Sequence, residues 1–143
     1  MEEGEMLLLD THAVVFLHAG RTELFDAPGL HLLEAEQLCV SPAVLLELQY
    51  LYEFERIRYG AREIIDDLSA SLSLETLDRN WKEVAYAALD LAWTRDPFDR
   101  MIAAQAAVED LPLLTRDRLI RKNLESAPDR GDGIGLKHIR SGY

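Results

Sequence analysis

Four acidic residues, Asp10, Glu47, Asp99 and Asp117, stand at positions from which carboxylates can be gathered into one place. Asp10 closes the apolar run MLLLD, and Asp117 follows LPLLT by two residues, so each falls just past the end of a short strand. Glu47 lies in the helix-like segment SPAVLLELQYLYEFERI. Its neighbours at i−4, i−3, i+4 and i+7 are Ala43, Val44, Leu51 and Phe54, which puts the carboxylate on an apolar stripe. Asp99 repeats the pattern in TRDPFDRMIAAQAAV, with Ile102, Ala103 and Ala106 at i+3, i+4 and i+7. Asp96 and Pro97 already supply the N-cap and first-turn proline of that helix, so capping does not require Asp99.

A desolvated carboxylate without a partner costs several kcal/mol or takes up a proton. Two like charges about 4 Å apart repel by roughly 4 kcal/mol at an effective dielectric of about 20. A cluster of carboxylates is therefore stable only when protonated or occupied by cations. An oxygen donor set without added Cys or His suits Mg²⁺ or Mn²⁺ rather than zinc. Such a site suits phosphodiester hydrolysis, with the metal activating water and stabilising the leaving oxygen. Each residue alone also has a plain structural explanation. Asp10 and Asp117 can cap turns or helices, and Glu47 can pair with an arginine or reach the edge of its helix. Asp99 can make a capping-box contact and favour the helix dipole. It is the four together that argue for a site.

The elements needed to converge them are legible in outline. Short apolar runs at MLLLD, QLCVS, LSLETL and LPLLT read as strands buried on both faces. Helix-like segments separate them. THAVVFLHAG ends at Gly20, a good C-cap, and APGLHLLEAE forms a second short helix. Ser41 and Pro42 open a third, YGAREIIDDLSASL restarts after Gly60, and WKEVAYAALDLAW and DPFDRMIAAQAAVED follow. RDRLIRKNLES reads as a last amphipathic helix. This alternation predicts an α/β fold, a three-layer α/β/α arrangement around a central parallel sheet of four or five strands. Sites in such sheets form at the carboxyl ends of the strands. The 143 residues fit one domain, with a Gly-rich tail over about 127–143 expected to be loosely ordered apart from a short strand near Leu136–Ile139. Tyr50, Leu51 and Phe54, with the segment Ile64–Leu68, read either as an apolar partner surface or as core.

Other chemistries find no support. There is no phosphate-binding loop, no dinucleotide fingerprint, no zinc spacing and no nucleophile elbow. His12 follows Asp10 closely, and local packing explains it as well as a role in the site. Cys39 is the only cysteine, which excludes an internal disulfide. The acidic start MEEGEMLLLD is not a secretory signal, and no apolar run approaches the ~20 residues of a membrane span. These features favour a cytoplasmic protein with no membrane attachment. The net charge of −11 argues against simple electrostatic attraction to nucleic acid. Residues 112–143 nevertheless carry seven basic and four acidic residues, a balance of +3.

Taken in order, LLLDTHAVVFL, SPAVLLELQYL, TRDPFDRMIAAQA and LPLLTRDRLI resemble the four acidic motifs of PIN-domain proteins, and among these the small VapC-type ribonuclease toxins of toxin–antitoxin pairs. The resemblance spans about residues 6–125. It implies a PIN-like α/β/α fold and cleavage of RNA by water activated on Mg²⁺ or Mn²⁺. By motif position Asp10, Glu47 and Asp99 match the first three acids and Asp117 the more variable fourth, as catalytic and metal-binding residues. Asp96 falls outside the central match, as cap or supporting group. Thr115 matches a small hydroxyl residue often found before the fourth acid. The resemblance further implies a homodimer and a cognate antitoxin that covers the groove. Arg116, Arg118, Arg121 and Lys122, beside Asp117, are candidate phosphate contacts, and equally a solvated helix face.

Two alternatives stay open on the sequence. One is a PIN-like module that binds RNA or protein without catalysis. The other is a phosphatase with Asp10 as nucleophile, a chemistry that usually wants a second acid at position 12, where this chain has His12.

Overall fold

A computed structural model describes residues 5–115 and 139–141. Strand β1 (Met6–Leu9) leads into α1 (Thr11–His18), a short 3-10 turn (Thr22–Leu24) and α2 (Ala27–Ala35). Then come β2 (Gln37–Val40), α3 (Pro42–Glu53), α4 (Ala61–Leu72) and β3 (Glu75–Thr76). Helices α5 (Trp81–Leu89) and α6 (Pro97–Glu109) precede β4 (Leu113–Thr115), and β5 (Ile139–Ser141) closes the series. The five strands lie in the order β3-β2-β1-β4-β5, and every neighbouring pair is parallel.

Parallel strands need crossovers, and here helices supply them. The chain travels from β1 outward to β3 and then returns to β4 on the other side of β1. With right-handed crossovers this reversal places helices on both faces of the sheet. The strands record the result directly. Successive residues of a strand point to opposite faces, yet Leu7, Leu8 and Leu9 are all fully buried, as are Leu113 and Leu114. The expected three-layer α/β/α fold is the observed one. Among the described residues no helix is long and apolar enough to cross a membrane.

Local chemistry fixes where the helices start. Asp10, Asp26, Ser41 and Asp96 each sit at an N-cap in extended conformation and accept a backbone N–H of the first turn. Proline at or next to the first helical position follows in α2, α3 and α6. Helix α1 ends through Gly20, whose φ of 72° is the left-handed turn that favours glycine. Arg21 N–H then bonds back to the Phe16 carbonyl at 2.9 Å.

Several elements are shorter than their sequence patterns suggest. Helix α3 stops at Glu53 rather than running on through Ile57, because Glu55 turns left-handed (φ 59°) and Arg56 N–H closes onto the Leu51 carbonyl at 2.8 Å. LSLETL keeps only Glu75 and Thr76 as strand at the sheet edge, with Leu74 and Leu77 buried on either side. In the tail, a strand forms at Ile139–Ser141, three residues beyond the start of the expected one, and pairs with β4. The expected helix over 116–126 lies outside the described residues. Ile64, Ile65 and Leu68 are core, whereas Tyr50 and Phe54 are exposed, so the apolar surface expected there divides. Cys39 is a buried free thiol, and burial pushes its pKa up to about 12, which leaves it inert as a nucleophile.

The central strand makes a direct stability prediction. Leu8 is fully buried between the two helical layers. Leu8→Ala is expected to cost about 2–5 kcal/mol. Urea denaturation should show a lower midpoint with an unchanged slope.

Candidate active site

The candidate site is built at the carboxyl ends of β1 and β4, where the sheet's order reverses and a crevice opens in parallel α/β sheets. Asp10 is the first residue after β1 and caps α1, its Oδ1 accepting the Ala13 N–H at 2.9 Å. Thr115, the last residue of β4 and fully buried, donates its hydroxyl to Asp10 Oδ2 at 2.5 Å. The residue pairing of β1 with β4 sets this contact, since Leu8 and Leu9 align with Leu113 and Leu114. Both carboxylate oxygens of Asp10 are thus oriented by donors from two elements, and the residue is only 5% exposed. The cap explanation holds for Asp10.

Glu47 enters from α3. Thr11, which follows Asp10, is buried and donates its hydroxyl to Glu47 Oε1. Two consecutive residues after β1 therefore tie the first and second acids together, one as carboxylate and the other as donor. Glu47 is half-buried, and loss of solvation raises its pKa above the ordinary value of 4.5. The Thr11 hydrogen bond opposes that rise, Asp96 adds to it, His12 opposes it and Asp10 adds to it. Among the described residues, no arginine makes the pair with Glu47 that the sequence left open. His12 lies close enough to be felt but is exposed on the surface of α1, its ring 6.3 Å from that of Phe16.

Helix α6 contributes the TRDPFDR segment. Asp96 is the cap expected of it, its Oδ1 accepting the Phe98 N–H at 2.8 Å and the Asp99 N–H at 3.1 Å. Thr94 is buried and supports the turn. Its hydroxyl accepts the Asp96 N–H at 3.2 Å, and Arg100 Nε donates to its carbonyl at 2.8 Å. Asp99 sits half-buried in the first turn, ahead of the buried Ile102, Ala103 and Ala106. Contact between α3 and α6 brings this turn beside Glu47's helix, where the Tyr50 and Phe98 rings meet edge to face at 5.6 Å.

Asp10, Glu47, Asp96 and Thr115 are thus joined by hydrogen bonds or by mutual electrostatics, and Asp99 follows Asp96 by less than one turn. Asp117, Arg116, Arg118, Arg121 and Lys122 lie outside the described residues. Among the described residues, no three or more His, Cys, Asp or Glu side chains stand close enough together to hold a metal ion. The donors that do converge are carboxylate and hydroxyl oxygens, the chemistry that a hard divalent cation takes. Thr11 is the contributor that sequence reasoning passed over. Its signal lies in the DTH triplet, where a hydroxyl directly follows the strand-ending acid.

The comparisons with known proteins bear on the fold and the family. No curated protein matches the sequence. Among solved structures, VapBC2 from Rickettsia felis bound to a promoter DNA fragment has a chain that superposes with a TM-score of 0.62 at 17% identity, covering 96% of this chain and 99% of that one. A toxin–antitoxin complex from Klebsiella pneumoniae gives 0.59 at 20% identity, over 96% and 98% of the two chains. DNA-bound VapBC from Salmonella typhimurium gives 0.58 at 22%, over 95% and 97%. These likenesses establish the fold. The sequence itself matches the PIN domain family over residues 7–123, from the first strand past the fourth acid, and the chain belongs to that family.

Proposed function

We propose that this chain is a metal-dependent endoribonuclease and the toxin of a toxin–antitoxin pair. The observation that carries the reading is geometric: Thr115 and the α1 N-terminus orient Asp10 at the end of β1, and Thr11 orients the half-buried Glu47 of α3 beside it. Carboxylate oxygens oriented in this way are donors suited to a hard divalent cation. PIN domains are generally nucleases that use divalent metals, and the similar solved chains come from VapBC and toxin–antitoxin complexes.

In this reading Asp10, Glu47 and Asp99 hold the ion, with Asp117 as a fourth acid. Mg²⁺ or Mn²⁺ supplies counter-charge, an activated water and stabilisation of the leaving oxygen. The chain's own contribution is orientation. Thr115 and the α1 amide N–H fix Asp10, and Thr11 fixes Glu47. Asp96 starts α6 so that Asp99 falls in its first turn. Arg116, Arg118, Arg121 and Lys122 supply phosphate contacts, which an acidic protein needs close to its site. An antitoxin and a second copy of the chain are the expected protein partners.

The direct test is cleavage of a structured RNA by purified protein with Mn²⁺. Asp99→Asn is expected to abolish cutting, while Asp96→Asn mostly preserves it, because asparagine caps a helix well. Equal rates for the two variants would reject the assignment of roles. Thr115→Val is expected to lower activity by about 10–100-fold, since a ligand loses its orienting donor. An unchanged rate would show that Asp10 needs no support from β4.

Glu47 also yields a stability prediction whose sign is fixed. A carboxylate with a raised folded-state pKa stabilises the fold only while it keeps its proton. That stability is lost as pH rises from 4.5 through the folded-state value. In EDTA at neutral pH, Glu47→Gln should therefore melt above the unsubstituted chain. The difference should vanish in acid, as followed by circular dichroism at both pH values. A variant that melts lower at neutral pH would mean that the charge is already compensated without metal.

A further inference from the structure

Resting on the ribonuclease reading, we propose that Tyr50 and Phe98 form a stacking platform for an unpaired nucleobase beside the scissile phosphate. The two rings meet edge to face, 5.6 Å apart and at 90°. Tyr50 lies one turn after Glu47 on α3, and Phe98 directly precedes Asp99 on α6. The pair is thus joined through its own backbones to two of the proposed metal ligands. Tyr50 is 45% exposed although it packs against Phe98, so part of its ring is held in place yet open to a ligand. A side chain already restrained by packing loses little freedom when a base stacks on it.

Charge explains why a neutral contact belongs here. The chain carries a net charge of −11, and the neighbours of Tyr50 and Phe98 include Glu47, Asp96 and Asp99. Phosphate attraction is weakest where the acids stand. A metal offsets the charge at one phosphate, and the flanking nucleotides need binding energy that does not depend on charge. Base–aromatic stacking supplies that energy and accepts any base, because every base has a π-face. Bases stacked inside an A-form helix cannot present that face, which selects unpaired RNA. Phe54, the C-cap of α3 and four positions beyond Tyr50, is 74% exposed.

The test is binding of a labelled short single-stranded RNA, and of a duplex of the same sequence, to the full chain in EDTA, which separates binding from cleavage. Tyr50→Ala is expected to weaken single-strand binding by about 5- to 100-fold. Tyr50→Phe should keep it, and Tyr50→Leu, which preserves packing on Phe98 without a π-face, should behave like the alanine variant. The salt dependence of binding should be the same in all four proteins, because no phosphate contact is removed. With Mn²⁺, Tyr50→Ala and Tyr50→Leu should raise KM far more than they lower kcat, and Tyr50→Phe should change neither. Binding by Tyr50→Ala equal to that of the unsubstituted chain overturns the proposal, as does a preference for duplex or an absence of single-strand binding. So does a loss that sedimentation traces to dissociation of a dimer, which would make the patch an interface between copies. A chain that binds single strands through Tyr50 but does not cut them leaves the platform standing and removes the nuclease reading instead.

Discussion

The placement of Asp10 and Glu47 at the carboxyl end of a parallel sheet is the constraint to which the surrounding structure answers. Asp10 and Glu47 belong to different elements, yet Thr11 and Thr115 hold them in fixed orientations through hydroxyl donors. A hydroxyl orients a carboxylate without neutralising it. The two hydroxyls fix where the carboxylate oxygens point, and burial raises the cost of charge on Glu47.

The rest of the architecture explains how that charge is kept in register. Leucines fill β1 on both faces, so the strand cannot slide without moving its apolar side chains out of the two layers. Parallel pairing with β4 then sets Thr115 against Asp10. On α6, the Asp96 cap and Pro97 fix where the helix begins, and with it the turn that carries Asp99. The site thus depends on a strand packed from both sides and on two helix starts, all of them rigid elements. Such support suits chemistry in which small displacements are costly.

Much of this was legible in the sequence, for identifiable reasons. Apolar strands, capped helix starts and prolines are local signals, and they located β1, β2, β4, α1, α3 and α6 closely. The acids were conspicuous because Glu47 and Asp99 break apolar stripes at helical spacing. What the sequence left ambiguous were features set by tertiary contact. The end of α3 depends on a left-handed Glu55, a conformation that no side-chain preference announces. β3 is reduced to two residues because only the sheet edge holds it. Thr11 is marked in the sequence only as the hydroxyl that follows the strand-ending acid. Its role appears only when α3 is laid against the start of α1. The same holds for the Tyr50–Phe98 pair, whose members lie 48 residues apart in the chain.

The central claim is that these acids form a site for a divalent cation. Calorimetric titration of Mn²⁺ into the metal-free chain and into Asp10→Asn tests it without reference to any substrate. Saturable binding by the unsubstituted chain, lost or greatly weakened in Asp10→Asn, is the result predicted. No binding by the unsubstituted chain, or equal binding by both, would contradict the account.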